Sequence, residues 1–537
     1  MKYTEEKLNS LDKEAVIQLF LSQQEQLEHI DHTLQLVLEQ VADLKRRRFG
    51  RSSEKHETES QISFMEVDGK IVFFNESEAV CAEASSEDPE AVLCRKPKKK
   101  QGKREEDLDG LPVVVIEHSL SEEDLEELFE KEGYKQLPDE VYRRYGFTPA
   151  KVEVEEHHVK VYAGKKTDKI VRAPHSGSLL RGSLVSPSLE AAVINAKYVN
   201  AVPLYRQEQE FLRYGLHISR QNMANWTIQC ADRYLAVLYD HLHEKLYGYH
   251  VLQADETPVL VNKDGRPTGS KSYMWVYRTG RMYTDRQIVL YEYQKTRNAS
   301  HPREFLKDFS GICVTDGYQV CHTVEKERED LRIAGCWSHA RRRFDEAVKA
   351  LPKAKQKDSR AYLALTMIQA VYREEKLLKD LLPGERKNRR QLSVRPLVEA
   401  YFVWVRENLP KVPQKSKTWE GFSYSLNQEK YLKVFLDDGE VPMDNNAAEQ
   451  SIRGFCIGKK NWVMIDTVAG AKSSAIIYSI AETAKANNLK PYDYFEYLLT
   501  EIPKHLDDTD RSFLDDLLPW SPNLPANCRK PGKEEVK

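Results

Sequence analysis

Three acidic residues in this 537-residue chain stand where an acid is costly or out of character. Asp255 lies inside "YHVLQADETPVLV", an otherwise apolar and β-branched run; Asp316 ends "GICVTDGY"; Glu449 follows the amides of "DNNAAEQSIRG". An acid within an apolar strand is expensive unless it is paired or bound to a cation. Two such aspartates facing each other repel, and a divalent ion relieves that repulsion. Hard carboxylate oxygens suit Mg2+ or Mn2+. Two such ions can clamp both oxygens of an in-line displacement at phosphorus, and a third carboxylate completes the pocket. Strand alternation sends Asp255 and Glu256 to opposite faces, so only one can join the set, and Asp255 is the one expected. Glu449 has a plainer reading, with Asn446 as N-cap and Glu449 three residues on as a capping-box-like partner. The helix pattern points further. Ala448, Ile452 and Phe455 form an apolar stripe suited to a sheet, while Glu449, Arg453 and Asn446 share the adjacent polar face. Arg453, Lys459 and Lys460 are then candidates to hold phosphates nearby.

These residues need elements to position them. "YHVLQADETPVLV", "KSYMWVYRTG" and "RQIVLYEYQKT" read as an antiparallel meander, "HPREFLKDF" as a short crossover helix, and "GICVTDGY" as a parallel strand ending at Asp316. "LRIAGCWSHARRRFDEAV" adds a strand and a helix. That order is the order of a ribonuclease-H-like fold, within a multidomain α/β chain. On the last helix His339, Arg341 and Arg342, with Arg343, are candidate phosphate contacts, and for His339 capping or packing in the helix is expected over a catalytic role. Upstream, Leu204, Phe211 and Leu212 mark one helix, Gly215 a turn, and Ser219 the cap of a second helix with Met223, Trp226 and Cys230 on one face. Arg220, Gln221, Asn222 and Asn225 are left outward, as in a helix-turn-helix that presents polar side chains to the major groove. Any helical hairpin shares that outline.

The N-terminal fifth is different. Within a helical segment 1–50, residues 11–44 carry a heptad seam, Phe20, Leu27, Leu34 and Val41 with Val16, Ile30, Val37 and Leu44, interrupted by the polar Gln23. It fits a coiled coil that makes a homodimer or larger assembly, or an amphipathic helix packed on its own domain. Residues 51–110 swing from acidic to basic with little apolar content and read as a charged flexible linker. Within it, seven of the ten residues from Arg95 to Arg104 are Lys or Arg. Lys98, Lys99 and Lys100 are candidate backbone contacts for DNA, although a solvated tail has the same composition. Residues 111–180 form a small β-containing module in which "KVEVEEHHVKVYAG" reads as a strand. His157 and His158, adjacent on it, point to opposite faces and are taken as surface residues.

Composition sets the outer bounds. A net charge of −3 neither favours nor excludes nucleic acid, so local patches must carry any phosphate contact. The eight cysteines form no CxxC pair and read as reduced thiols. No apolar run is long enough to span a bilayer, and "MKYTEEKLNS" is no signal peptide, so a cytoplasmic protein without membrane contact is expected.

Six separated segments together resemble the insertion-sequence-66 family of DDE-class transposases, in the same order. They are "KRRRFGRSSEK", "AKYVNAVPLYRQEQEFLRYGLHISRQNMANW", "QADETPVLV", "VTDGY", "GCWSHARRRF" and "DNNAAEQSIRGFCIGKKNW", and the closing "LLPW" agrees. The resemblance implies that Asp255, Asp316 and Glu449 are the DDE triad, binding metal as well as catalysing. It also implies a ribonuclease-H-like domain over 245–490 with a helical insertion at about 350–440, a helix-turn-helix region at 181–240 and a helical tail at 491–537. The partners it implies are double-stranded DNA, as element ends and target, and two small accessory proteins of the same element. One feature departs from the family. The zinc-binding module usual before the helix-turn-helix lacks its cysteines here, with Gly164 and Thr167 where they are expected, so no structural zinc is expected. A nuclease that cuts without joining, and a non-catalytic DNA-binding relic, are the rival readings.

Overall fold

The computed structural model describes residues 177–267 and 269–531, the shorter stretches 152–163 and 170–173, the backbone of 64–67 and 70–73, and the helical Gln24. The rest of the heptad seam, the basic run with Lys98, Lys99 and Lys100, and positions 164 and 167 lie outside the described residues. The chain divides into two compact units, Met1–Phe49 with Glu156–Lys530, and Gly50–Glu155 with Pro531–Lys537.

In the second unit β1 (Phe64–Val67) and β2 (Lys70–Phe73) pair antiparallel with Val67 opposite Lys70. This corrects the reading of 51–110 as linker throughout. The sequence between the strands is Asp68-Gly69, the pair that two-residue hairpins favour, and the flanking apolar residues supply the β-propensity. The strand expected over residues 151–164 shrinks to β3 (Val161–Ala163), which pairs antiparallel with β4 (Ile170–Arg172). Residues 152–160 have no regular structure and are mostly exposed, consistent with a run of Glu and His that has little to bury.

The first unit is organised on a six-stranded mixed sheet. Its strands are β5 (Val251–Lys263), β6 (Lys271–Thr279), β7 (Val289–Gln294), β8 (Gly311–Thr315), β9 (Leu331–Gly335) and β10 (Ile465–Thr467). The order is β7-β6-β5-β8-β9, antiparallel on the β7-β6-β5 side and parallel from β5 to β9; β10 adds to the far end of β5 in parallel. The expected meander and parallel strand are therefore present in the expected order.

Helices α1 (Pro187–Ile194), α2 (Leu204–Arg213), α3 (Arg220–Cys230) and α4 (Ala236–Leu246) precede the sheet. Ser219 caps α3 by accepting from the Asn222 N–H at 3.1 Å, as its sequence position predicts. α3 runs into α4 through one wide turn of π-type helix, Ala231–Leu235. Leu212, expected on the apolar face of α2, is instead exposed, because Gln207 takes the inward position and donates to the Val202 carbonyl at 3.0 Å.

After β7, α5 (Ser300–Phe305) crosses to β8, α6 (Gln319–Lys326) leads to β9, and α7 (Trp337–Lys349) follows. The next ninety residues are helical, including α8 (Arg360–Leu377), α9 (Arg395–Asn408) and α10 (Lys417–Asn427). They build their own apolar core, with Ile368, Tyr401, Phe402 and Phe422 packed on Trp337 and Phe344 of α7 and on Val251, Ile312 and Val314 of the sheet. The chain then returns through α11 (Asn446–Trp462), α12 (Val468–Ala486) and α13 (Pro491–Glu501). α12 covers the edge strand β7: Ser479 accepts the Tyr291 N–H at 2.7 Å and Thr483 accepts that of Val289 at 3.0 Å, so edge donors are satisfied.

Residues of α4, the sheet, α11, α12 and α13 share one large core. The segments expected as a DNA-binding region, a catalytic domain and a tail are thus joined. Tyr494, Phe495 and Leu498 of the tail complete that core.

Candidate active site

The long strand β5 sets the site. Its register with β8 pairs Gln253 with Val314, so two residues further Asp255 comes level with Asp316, the residue after the last of β8. Asp316 Oδ1 accepts the Tyr318 N–H at 2.9 Å, and its carbonyl accepts the Tyr424 hydroxyl at 3.0 Å. Gly317 between them adopts φ +85°, and a Cβ there would lie 2.9 Å from the Tyr424 hydroxyl. Only glycine lets α10 close on this strand end without strain.

Glu449 arrives on α11, whose N-terminus is clipped to β5. The buried Asn445 donates from Nδ2 to the Ala254 carbonyl at 2.8 Å, and Gln253 Nε2 donates to Asn445 Oδ1 and to the Asp444 carbonyl, each at 3.2 Å. The Asn445 N–H also donates to Cys336 Sγ at 3.1 Å. These bonds correct the capping reading: the N-cap is Asn445, not Asn446, and its side chain is spent on the sheet rather than on the helix. The Glu449 carboxylate faces α7 instead, with Oε2 3.3 Å from Arg342 Nη2 and Oε1 3.7 Å from His339 Nδ1. Ala448, Ile452 and Phe455 form the expected buried stripe, with the Phe455 ring 6.5 Å from that of Tyr291.

Burial pushes the Asp255 carboxyl well above the usual carboxylate range, and the charges of Glu256, Asp316 and Glu449 raise it further. The charges of Asp316, at the end of the adjacent strand, and of Glu449, on α11, both reach Asp255, while the Glu449 carboxylate itself sits against His339 and Arg342. Glu256 turns to the other face of β5, as alternation requires, and forms an ion pair with Arg297, whose guanidinium stacks 3.5 Å over the Tyr318 ring. Burial and the nearby Asp316 still lift Glu256 to about 7. Burial also pushes the His339 imidazole below its ordinary range and the Cys336 thiol up to about 12. Among the described residues, Cys336 Sγ, a His339 ring nitrogen and a Glu449 oxygen lie within 4.8 Å of one another. The donor set fits a divalent cation: mutually repelling carboxylates beside a buried Glu449 Oε1 that has no hydrogen-bond partner.

Known proteins share much of this sequence. Residues 182–473 match the transposase IS66 family, 479–520 the IS66 C-terminal element, and 37–116 a model described as transposase C of IS166 homeodomain. The chain belongs to the IS66 transposase family. Its relatives include three proteins of Sinorhizobium fredii described as uncharacterized. One, y4qI, is 31% identical over 371 residues, 67% of each chain. A second, y4jD, is 26% identical over 66% of this chain and 69% of its own, and a third, y4hP, is 24% identical over 63% and 62%.

The other residues singled out in the sequence fall in several places. Arg220, Gln221, Asn222 and Asn225 are exposed along the first turns of α3, on a surface away from its buried Met223, Thr227 and Cys230. Arg220 donates its backbone N–H to Glu208 of α2 at 3.0 Å, tying the two helices. On α11 Arg453 and Lys460 are exposed, whereas Lys459 donates to the Pro258 carbonyl at 2.9 Å and so braces β5. Arg342 is drawn inward to Glu449, Arg343 stacks 4.3 Å over Tyr424, and Arg341 is half-buried. His157 and His158 are exposed, the latter 2.9 Å from Glu156. Sequence reasoning missed the roles of Asn445, Gln253 and Tyr424, and read Arg342 as a DNA contact alone. The (i, i+3) spacing of His339 and Arg342 was the available signal that one helix face serves Glu449. Among the described residues no helix is long and apolar enough to cross a membrane.

Proposed function

We propose that the chain is a metal-dependent DNA transposase that cuts DNA at the ends of its insertion sequence and joins the freed 3′-hydroxyl to target DNA. What supports this reading is the convergence of Asp255, Asp316 and Glu449 from two adjacent strands and one helix, with the charges of Asp316 and Glu449 both felt at Asp255. They would hold two Mg2+ or Mn2+ ions, which when bound supply Lewis-acid stabilisation of the attacking and leaving oxygens at phosphorus. The chain's own residues do the rest. Gly317 and Tyr424 fix the backbone at Asp316, the Tyr318 N–H holds its carboxylate, and the Asn445 clip fixes the helix that carries Glu449 on β5. Arg453 and Lys460 lie exposed on the helix that carries Glu449, where DNA phosphates can be held against the recess. The exposed polar end of α3 reads the element ends in the major groove. The sheet order supports a ribonuclease-H-like core. The N-terminal seam would pair copies of the chain in the cytoplasm, and two small accessory proteins of the element would join the complex.

A strand-transfer assay tests this. Full-length protein, with and without those accessory proteins, is incubated with Mg2+, labelled element-end DNA and a target plasmid. Metal-dependent end cleavage followed by labelled plasmid products is expected. Cleavage without joining would favour a nuclease, and end binding without cleavage a non-catalytic relic.

A further inference from the structure

We infer that His339 is a fourth ligand of the cation bound by Glu449, so that the site is a carboxylate–imidazole set rather than a carboxylate triad alone. The inference rests on the proposed metal-dependent reading of this same recess. Two polar atoms here are buried with no hydrogen-bond partner, His339 Nδ1 and Glu449 Oε1, and they face each other at 3.7 Å. That gap is too long for a hydrogen bond. It matches two ligand atoms on one ion: with bonds of about 2.1 Å, ligands at right-angled to trigonal spacing stand roughly 3.0–3.7 Å apart. Cys336, the third donor of the cluster, is already committed to the Asn445 N–H and is fully buried. It serves the helix anchor, not the ion.

The position of His339 is fixed by its helix. α7 begins immediately after β9, and the Trp337 indole is buried with its N–H on the Leu432 carbonyl at 2.8 Å, which sets the rotation of the helix and turns residue 339 to the recess. Arg342, one turn on, lies 3.3 Å from Glu449 Oε2 and 3.5 Å from His339 Nε2. A guanidinium there neutralises Glu449. A bound cation and the guanidinium repel each other, so Arg342 must leave both partners when the ion is held. Its departure frees Nε2 to carry the imidazole proton, which leaves Nδ1 unprotonated for the ion. An imidazole nitrogen favours a transition-metal ion over Mg2+, so His339 would bias the site toward Mn2+.

The test uses full-length protein labelled with 15N-histidine, loaded with Mn2+, and read by pulsed electron paramagnetic resonance. A directly bound 15N coupling is expected in the wild type. It should vanish in His339→Ala while Mn2+ still binds, with affinity for Mn2+ lowered about tenfold or more, the scale found even for partners one step removed from a metal. It should also vanish in Asp255→Asn together with the Mn2+, which assigns the signal to this recess without altering His339. Mn2+ that binds and is lost in Asp255→Asn, yet shows no histidine nitrogen in the wild type, would overturn the His339 assignment and leave the carboxylate reading standing. Mn2+ binding that is absent, or unchanged in Asp255→Asn, would overturn both.

Discussion

At the scale of single residues, the acids of this chain differ in what surrounds them, and the difference decides their behaviour. Glu190 on α1 is fully buried, accepts the Thr227 hydroxyl at 2.8 Å with one oxygen and has no partner for the other. Burial lifts it from 4.5 to about 8. In the folded chain it keeps its proton at neutral pH, whereas in the unfolded chain it loses it above about 4.5. Folding stability from this group is therefore complete below pH 4.5 and declines as pH rises through about 8. Glu190→Gln should melt like the parent at pH 4 and be about 1–4 kcal/mol more stable at pH 9, measured by thermal unfolding across that range. Burial raises Asp255 as well, and there three neighbouring carboxylates add to it. Its place in an apolar strand was visible in the sequence, because an acid in such a run needs an explanation. The neighbours that raise it, Asp316 and Glu449, were visible only as further candidates. The arginine that meets Glu449 was legible only through its (i, i+3) spacing from His339, a pattern that does not say what that face meets.

At the scale of elements, the site depends on how α11 is docked. Asn445 joins its first turn to β5 through a donor and an acceptor bond, both buried. Asn445→Ala would strand the Ala254 carbonyl and the Gln253 amide. A loss of about 1–3 kcal/mol in chemical denaturation is expected, with DNA cleavage reduced as Glu449 loses its register. The strands, the crossover and the α11 stripe were legible because period-two and period-3.6 patterns are local properties of the chain. The Asn445 clip was not. A polar residue before a helix reads as a cap from sequence, and only the neighbouring strand reveals that its side chain bonds elsewhere. The β1–β2 hairpin was missed for a related reason, since the charged composition around it outweighed a short Asp-Gly signal.

At the scale of the whole molecule, the helical insertion and the sheet behave as one body. Arg390, with no exposed surface, donates to the carbonyls of Phe435 and Val441 at 2.7 and 3.0 Å and pairs with Glu375 of α8. It thereby binds the insertion to the segment that leads into α11. Arg390→Ala leaves these carbonyls and Glu375 uncompensated. It should cost about 2–4 kcal/mol and lower the melting temperature of the insertion and the sheet together, in a single calorimetric transition. Two transitions would mean that the insertion is a separate domain.

The measurement that bears most directly on the central claim is end-DNA cleavage by Glu449→Gln beside the parent protein, in Mg2+ and in Mn2+. Glutamine preserves size and helix propensity while removing the charge, so the melting temperature should hardly change. The three-acid account predicts that cleavage falls by roughly a hundredfold or more in both metals, several kcal/mol of lost transition-state stabilisation. Cleavage that persists at the parent rate would contradict it, and would reduce Glu449 to a partner of Arg342 in holding α7 to α11.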